Sequence, residues 1–357
     1  MKFDIYEFFS ELSKNKAKIR MDAGDPDIEP NDVIINELIK NIKDLGYAPY
    51  KGLDELRDII AEYHKVDIDN VIITPGSKAA ISSLILLSKK VNLISPYWSG
   101  YEFSANLFKK QVSIINTKFE EYWEPDFNKA ENDATLIINY PNNPTGKVIS
   151  QKKVKELIDI SLEKNLTIVS DEAYRDIVFD GFRFKLTDFI LQNSVSVFSF
   201  SKTFSMPGLR LGYAVGDKQL INKIGEFIKA NITSVPKFSQ RAAIKALEMW
   251  EPIADQVKNT YYKRLTLFLN KINNKKFVYI RPSGTFYVFL KLNGLSGTEL
   301  AYALAKKGLG IFPGEAFGRE FENFIRVSLT TKEENIPLAA ELINESVEEL
   351  DVGKYIN

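Results

Sequence analysis

The sequence predicts an α/β fold: a large domain with a mostly parallel seven-stranded sheet flanked by helices, followed by a smaller α+β domain. The first observation is that short apolar runs alternate with longer segments of helical period, which is typical of a βαβ succession. The second is a change of pattern near Glu251, where a long charged helix begins and continues to about Ile272. The third is size, because 357 residues, 45% of them hydrophobic, can form a large core and a second domain.

The seven strands predicted for the large domain are short runs rich in Val, Ile and Leu. They cover residues 71–74, 91–95, 112–115, 135–139, 167–170, 194–198 and 210–215. Helical periods between them cover residues 77–87, 150–164 and 218–228. The first of these helices follows a Pro-Gly turn, and the second begins with Ser150, a favourable N-cap residue.

The smaller domain is predicted from three further strands, at 277–280, 284–290 and 324–328, which are separated and followed by helices. We expect residues 31–255 to form the large domain and residues 256–357 the small one, with the boundary inside the long charged helix. We expect the N-terminal segment, residues 1–30, to pack on the small domain.

Composition excludes several classes of function. Forty-seven basic and forty-seven acidic residues cancel, so no net field attracts nucleic acid or an anionic membrane. The absence of cysteine, and a single histidine, His64, exclude disulfides, thiolate nucleophiles and Cys- or His-rich metal sites, and we expect no metal. The N-terminus is charged without a cleavage site, and no apolar stretch approaches the roughly 20 residues that cross a bilayer. We therefore expect a cytoplasmic protein with a small-molecule partner.

Residues able to bind a ligand follow the predicted strands, where ligands of open α/β sheets bind. After the first strand, Gly76, Ser77 and Lys78 open a helix whose free N–H groups and dipole favour a phosphate. The alternative is an ordinary strand-to-helix connection. After the second strand, Trp98 either covers a flat ligand or fills the core.

Two more candidates follow later strands. The segment Asn139-Tyr-Pro-Asn-Asn-Pro-Thr-Gly146 contains two prolines, which fix the loop and allow a cis bond, so that Asn143 can bind with little loss of entropy. A rigid surface turn is the alternative. Asp171 lies just past an apolar strand, where a carboxylate needs a cationic or N–H partner; a helix N-cap is the alternative.

Lys202 is the most informative residue, because an ammonium group at the mouth of a buried strand is costly unless it is paired, neutralised or used covalently. Nearby, Ser199 and Arg210 suit a phosphate dianion. Arg326, inside an apolar strand, binds either a ligand carboxylate or a structural acid. A lysine amine, an aspartate for a pyridinium nitrogen, a stacking aromatic ring and a phosphate cup together describe a site for pyridoxal 5'-phosphate. The remaining arginine would bind a substrate carboxylate.

Ten segments of the chain carry a resemblance to a known family, among them Asn142-Asn-Pro-Thr-Gly146 and Ser199-Phe-Ser-Lys-Thr-Phe204. The full set is 23–27, 47–57, 74–78, 96–101, 142–146, 170–174, 199–204, 210–212, 282–287 and 326–328. With these segments in order, the sequence resembles the class I/II aminotransferases of fold type I, the aspartate aminotransferase superfamily, over nearly its whole length.

The resemblance implies a role for each candidate. Lys202 would carry pyridoxal 5'-phosphate and move a proton between the substrate Cα and the cofactor C4′, Asp171 would pair with the pyridine nitrogen, and Tyr174 and Asn143 would hydrogen-bond the 3-oxygen. The cofactor phosphate would be held by Gly76, Ser77, Lys78, Ser199 and Arg210, with Trp98 stacked on the ring. The substrate α-carboxylate would be received by Gly24, Trp98, Asn143 and Arg326.

The resemblance also implies partners. A tyrosine at the place of Tyr47 reaches the cofactor phosphate of the neighbouring subunit, which implies a homodimer. An amino acid and a 2-oxo acid such as 2-oxoglutarate would react by a ping-pong mechanism. Lys78 favours aspartate and glutamate; the alternative is that Lys78 only neutralises phosphate or faces solvent. Ile19, Ile28, Tyr47 and Tyr50 would suit aromatic or branched-chain substrates.

Other activities of the same fold remain alternatives: a C–S lyase, an aminocyclopropane-carboxylate synthase, or a cofactor-binding regulatory domain without enzymatic activity. A regulatory role is disfavoured, because no winged-helix segment or basic extension is attached.

Overall fold

A computed structural model describes residues 5–273 and 275–353 of the chain, without the side chains of residues 5 and 353. Residues 1–4, 274 and 354–357, which belong to the predicted N-terminal segment and small domain, lie outside the described residues. The strands are Ile19–Arg20 (β1), Val71–Thr74 (β2), Lys90–Ser95 (β3), Gln111–Asn116 (β4), Thr135–Asn139 (β5), Thr167–Asp171 (β6), Ser194–Ser199 (β7), Gly212–Gly216 (β8), Phe277–Val278 (β9), Tyr287–Leu292 (β10), Leu309–Gly310 (β11), Phe312–Pro313 (β12) and Phe324–Ser328 (β13). The helices are Ile5–Lys14 (α1), Asp32–Asn41 (α2), Asp54–His64 (α3), Ser77–Leu87 (α4), Gly100–Leu107 (α5), Gln151–Glu163 (α6), Phe200–Thr203 (α7), Lys218–Asn231 (α8), Lys237–Glu248 (α9), Trp250–Leu269 (α10), Gly297–Lys306 (α11) and Asn335–Gly353 (α12).

Seven strands form the large sheet, in the order β2-β8-β7-β6-β5-β3-β4. The five strands β7, β6, β5, β3 and β4 are parallel, and β8 is antiparallel to both of its neighbours. The prediction of a mostly parallel seven-stranded sheet is therefore confirmed. Because the parallel strands share one direction, their carboxyl ends meet at a single edge of the sheet.

Helices cover both faces of this sheet. Ile81 of α4 and Ile224 of α8 pack with sheet residues on one face, and Leu157 of α6 packs with another set on the opposite face. The buried strands read as continuous apolar runs because both sides of the sheet are covered. Within the described part of the chain, no helix combines the length and apolar character needed to cross a membrane.

The C-terminal part contains a four-stranded antiparallel sheet, in the order β12-β13-β10-β9. The N-terminal strand β1 pairs with β11, and Phe8 of α1 makes an edge contact with Tyr302 of α11 at 5.8 Å between ring centroids. The helix α10 spans the predicted boundary between residues 255 and 256. The domain limits themselves stay a prediction.

The predicted strand 210–215 is wrong at its start. The strand begins at Gly212, because Pro207–Leu209 forms a turn of 3-10 helix and Arg210 then adopts a φ of +50°, in the left-handed region. The predicted helix with Ser150 as N-cap is confirmed, since the Ser150 hydroxyl accepts a hydrogen bond from the backbone N–H of Lys153 at 3.3 Å.

Candidate active site

A cavity of about 310 Å³ opens beside the carboxyl ends of β3, β5, β6 and β7. This volume is typical of a small-molecule site. The loops and turns that follow these strands supply most of its wall, as expected for an open α/β sheet. The predicted site residues that line the cavity are Gly24, Ser77, Lys78, Trp98, Asn143, Asp171, Tyr174, Ser199, Lys202 and Arg326.

Lys202 lies on the one-turn helix α7, which follows β7 directly. The Ser199 hydroxyl caps this helix by accepting a hydrogen bond from the Ser201 N–H at 3.2 Å. The Lys202 Nζ donates to the carbonyl of Gly24 and lies 5.8 Å from the Tyr174 ring centroid. A Cβ on Gly24 would collide with the Tyr287 hydroxyl, so the close approach of this segment requires glycine.

Asp171 is the last residue of β6, is buried and lines the cavity. One carboxylate oxygen accepts a hydrogen bond from the Tyr101 hydroxyl at 2.7 Å, and the other from the Ala173 N–H at 3.2 Å. Burial raises the pKa of Asp171, while these two bonds and the charge of Lys202 oppose the rise. Since Asp171 forms no ion pair within the described residues, its carboxylate suits the protonated nitrogen of a pyridine ring.

The N-terminus of α4 forms a second, cationic end of the site. Gly76 precedes this helix with a φ of +77°, and a Cβ there would lie 2.8 Å from Nη2 of Arg210. Burial, then the nearby charges of Arg210 and Lys202, lower the pKa of Lys78. Three cationic groups at a helix N-terminus match a phosphate dianion. Gly76 and the exposed Arg210 adjoin Ser77 of the cavity wall and are not among the lining residues.

Arg326, in the middle of β13, is 4% exposed. Its Nη1 donates to Asn143 Oδ1 at 3.0 Å, its Nη2 donates to the carbonyl of Asp22, and its guanidinium stacks on the Tyr287 ring at 4.2 Å. Its Nε has no hydrogen-bond partner, and it forms no ion pair with any carboxylate of the described residues. Burial lowers the pKa of Arg326, because removing the guanidinium from water costs free energy. An anionic ligand would offset this desolvation cost. The alternative of a structural salt bridge is wrong for the described chain.

Several lining residues were not predicted. Tyr101 donates to Asp171, and the Tyr287 hydroxyl lies 3.0 Å from that of Tyr174. Both belong to the segments that carry the family resemblance, which is the signal that could have identified them. Phe312 had no such signal, because it reaches the site through the β12–β13 register, which places it opposite Arg326.

The structure does not bring Tyr47 into the cavity of its own chain. Its side chain is 82% exposed, and it is not among the residues that line the cavity.

Comparison with known proteins agrees with this geometry. The family model for class I and II aminotransferases matches residues 16–343. The chain belongs to the class I and II aminotransferase family. Members of this family use pyridoxal 5'-phosphate, and the Asp171 carboxylate without an ion-pair partner in the described residues, the Lys202 amine and the cationic helix N-terminus fit that cofactor.

Three proteins illustrate the similarity of this aminotransferase to characterised relatives. An aspartate aminotransferase of Thermococcus kodakarensis is 39% identical over 332 residues, covering 92% of this chain and 89% of that protein. An aromatic-amino-acid aminotransferase of Thermococcus litoralis is 30% identical, covering 97% of this chain and 96% of that protein. The structure of Thermus thermophilus aspartate aminotransferase with maleate superposes with a TM-score of 0.90 at 26% identity, covering 97% of each chain.

Proposed function

We propose that this aminotransferase transfers the amino group between an L-amino acid, preferably aspartate or glutamate, and a 2-oxo acid such as 2-oxoglutarate. The observation that carries the proposal is the buried, unpaired guanidinium of Arg326 in the same cavity as Lys202 and Asp171. An arginine fork binds a carboxylate through two parallel hydrogen bonds. Every amino acid and 2-oxo acid presents such a carboxylate beside the atom that reacts.

The positions of the residues support the following roles. Pyridoxal 5'-phosphate supplies the electron sink that makes the substrate Cα acidic. Arg326 and Asn143 would bind the α-carboxylate and orient the Cα–H bond towards Lys202, whose amine would take the Cα proton and return it at C4′ of the cofactor. Asp171 would hold the ring nitrogen of the cofactor protonated, and the Tyr174 hydroxyl would donate to the 3-oxygen of the cofactor.

Two observations bear on the side chain of the substrate. The Lys78 ammonium group lies 4.8 Å from the Trp98 ring centroid and forms no ion pair within the described chain, which supports an acidic substrate. The relative from Thermococcus kodakarensis is named an aspartate aminotransferase. Aromatic substrates are the second candidate, because Phe312 and Phe317 line the cavity.

A panel of amino donors tests this order. Aspartate, glutamate, phenylalanine, tyrosine and leucine are each assayed with 2-oxoglutarate, and kcat/KM is compared. We expect the acidic donors to exceed the others by at least about tenfold, or roughly 1.4 kcal/mol in transition-state binding. Lys78→Gln is expected to reduce this ratio, whereas the exposed Lys89→Gln is the matched control. Turnover without a 2-oxo acid would indicate a lyase instead, and faster aromatic donors would reverse the substrate order.

We also propose a homodimer in which Tyr47 reaches the phosphate end of the partner's site. Tyr47 follows a strip of exposed apolar side chains, Ile39, Ile42 and Leu45, which are 67%, 50% and 77% exposed. Such a strip is unusual on a surface that faces only water. Light scattering measures the particle mass, and a monomer contradicts the proposal. Tyr47→Phe is expected to weaken cofactor binding.

A cytoplasmic location stays a prediction of the sequence.

A further inference from the structure

We propose that Asp176 and Thr203 are positioning residues that fix Lys202 relative to Asp171 and Tyr174. The Thr203 hydroxyl donates to Asp176 Oδ2 at 2.9 Å and thereby joins two segments that are far apart in sequence. Thr203 is the neighbour of Lys202, and Asp176 follows Tyr174 by two residues. The inference rests on the proposed function only in taking Lys202 as the amine that binds the cofactor.

The Lys202 segment needs such an attachment. The helix α7 is a single turn, and a single turn is unstable unless tertiary contacts hold it. The start of the turn is held by the Ser199 cap and by the hydrogen bond from the Phe200 N–H to the Leu211 carbonyl, and the Lys202 side chain donates to the carbonyl of Gly24. The bond from Thr203 is the side-chain hydrogen bond at its end, and Thr203 is buried.

Asp176 also forms ion pairs with two arginines, Arg175 and Arg183. Asp176 belongs to what we name the rear cluster, Glu172, Arg175 and Asp176, whose side chains are buried away from the cavity wall. The Arg175 guanidinium lies 3.5 Å from Asp176 and stacks among the rings of Phe198 and Trp250 at 4.6 and 4.7 Å.

The charge of Asp176 makes it a strong acceptor. Arg175 and Arg183 hold the pKa of Asp176 below its ordinary value, although burial opposes them. The carboxylate is therefore ionised, and a hydrogen bond to an ionised acceptor is stronger than one to a neutral acceptor.

The consequence is geometric. Lys202 Nζ lies 5.8 Å from the Tyr174 ring centroid. The lysine must reach the aldehyde of the cofactor, which the loop carrying Asp171 and Tyr174 would hold. A misplacement of about 1 Å at such a distance costs roughly 10²-fold in rate. The Asp176–Thr203 bond sets the distance between the two segments that carry the reacting groups.

The test compares Thr203→Val, which removes the hydroxyl at similar volume, with Thr203→Ser, which keeps it. Thr187→Val is the matched control, because it removes a single hydrogen bond, to His64 at 2.9 Å, elsewhere in the fold. The first readout is the rate at which the cofactor-free enzyme, given pyridoxal 5'-phosphate alone, develops the absorbance of lysine-bound cofactor as the amine condenses with the aldehyde and releases water. The second is the split between kcat and KM for transamination.

We expect Thr203→Val to slow development of the band roughly tenfold and to lower kcat by roughly 10–100-fold, with KM for the amino acid within about threefold. Thr203→Ser and Thr187→Val should remain within about threefold of wild type in both readouts. A wild-type rate for Thr203→Val, or an equal defect in Thr203→Ser, overturns the inference. If Thr203→Val does not fold by circular dichroism, Asp176→Asn replaces it, and a wild-type rate there also overturns the inference. Because the first readout contains no amino acid, a wild-type enzyme that binds cofactor without transaminating refutes the proposed function alone.

Discussion

Residues 171–176 contribute side chains both to the cavity and to the rear cluster, but the two sites differ in whether their charged groups form ion pairs. Asp171 and Tyr174 line the cavity, whereas Glu172, Arg175 and Asp176 turn away from it. In the rear cluster, Asp176 forms ion pairs with Arg175 and with Arg183, which lies outside the cluster. In the cavity, Asp171, Lys202 and Arg326 form no ion pair within the described residues.

This difference distinguishes buried charges that stabilise the fold from buried charges that bind a ligand. A buried charge that is paired inside the protein needs nothing further, whereas a buried charge without a partner is tolerated where a ligand completes it. The ligand implied by the cavity is anionic at two places, beside Arg326 and beside the N-terminus of α4, and cationic beside Asp171. A protonated pyridine ring with a phosphate, together with a substrate carboxylate, has this distribution of charge.

Lys202→Ala gives the largest expected effect on this comparison. It removes the cavity amine that binds the cofactor and moves the proton, so turnover should fall by at least about 10⁵-fold and the absorbance of lysine-bound cofactor should vanish. The matched control is Lys185→Ala, which removes an ammonium group that pairs with Asp188 at 2.7 Å and does not line the cavity. Spectra and steady-state rates of both variants decide the point, and wild-type turnover in Lys202→Ala would refute the role of the lysine.

The sequence predicted the unpaired charges better than the paired ones. Lys202, Asp171 and Arg326 follow or interrupt apolar strands, so the sequence alone indicates that burying these charged groups costs free energy. The rear cluster could not be predicted, because its contacts depend on the turn at 172–177 and on Trp250, more than seventy residues away.

The fold was predictable for a similar reason. Buried parallel strands are continuous apolar runs, which the sequence displays directly. The predicted start of β8 was wrong because Arg210 lies in a segment flanked by apolar residues. Its left-handed φ has no sequence signal beyond the preceding Pro-Gly. The positions of Phe312 and Phe317 depend on pairing between short strands and turns, which local periodicity does not encode.

Arg326→Lys gives the next largest effect. Lysine keeps the positive charge but loses the planar fork, so kcat/KM for amino acids should fall by roughly 10²–10³-fold, about 3–4 kcal/mol. Arg57→Lys is the matched control, because Arg57 is also buried but donates to the carbonyls of Val71 and Ile68 away from the cavity. The control should lose stability in a thermal melt and retain its kcat/KM. Equal kinetic losses in the two variants would show that burial, rather than the ligand, explains the requirement for arginine.

Glu172→Gln tests the rear cluster and has the smallest expected effect. Burial raises the pKa of Glu172 to about 7 from its ordinary value of 4.5, although Arg175 and the N–H of Leu186 oppose the rise. Between pH 4.5 and 7 the folded protein therefore keeps a proton that the unfolded chain has lost, so the stabilisation present below pH 4.5 disappears as the pH rises through 7. The wild type should lose on the order of 3 kcal/mol of unfolding free energy relative to Glu172→Gln over this interval. Urea titrations of both proteins at pH 5 and pH 8 measure the difference, and parallel pH dependence would mean that the folded and unfolded states bind this proton equally well. Because Glu172 does not line the cavity, kcat/KM of the variant at pH 8 should remain within about threefold of wild type.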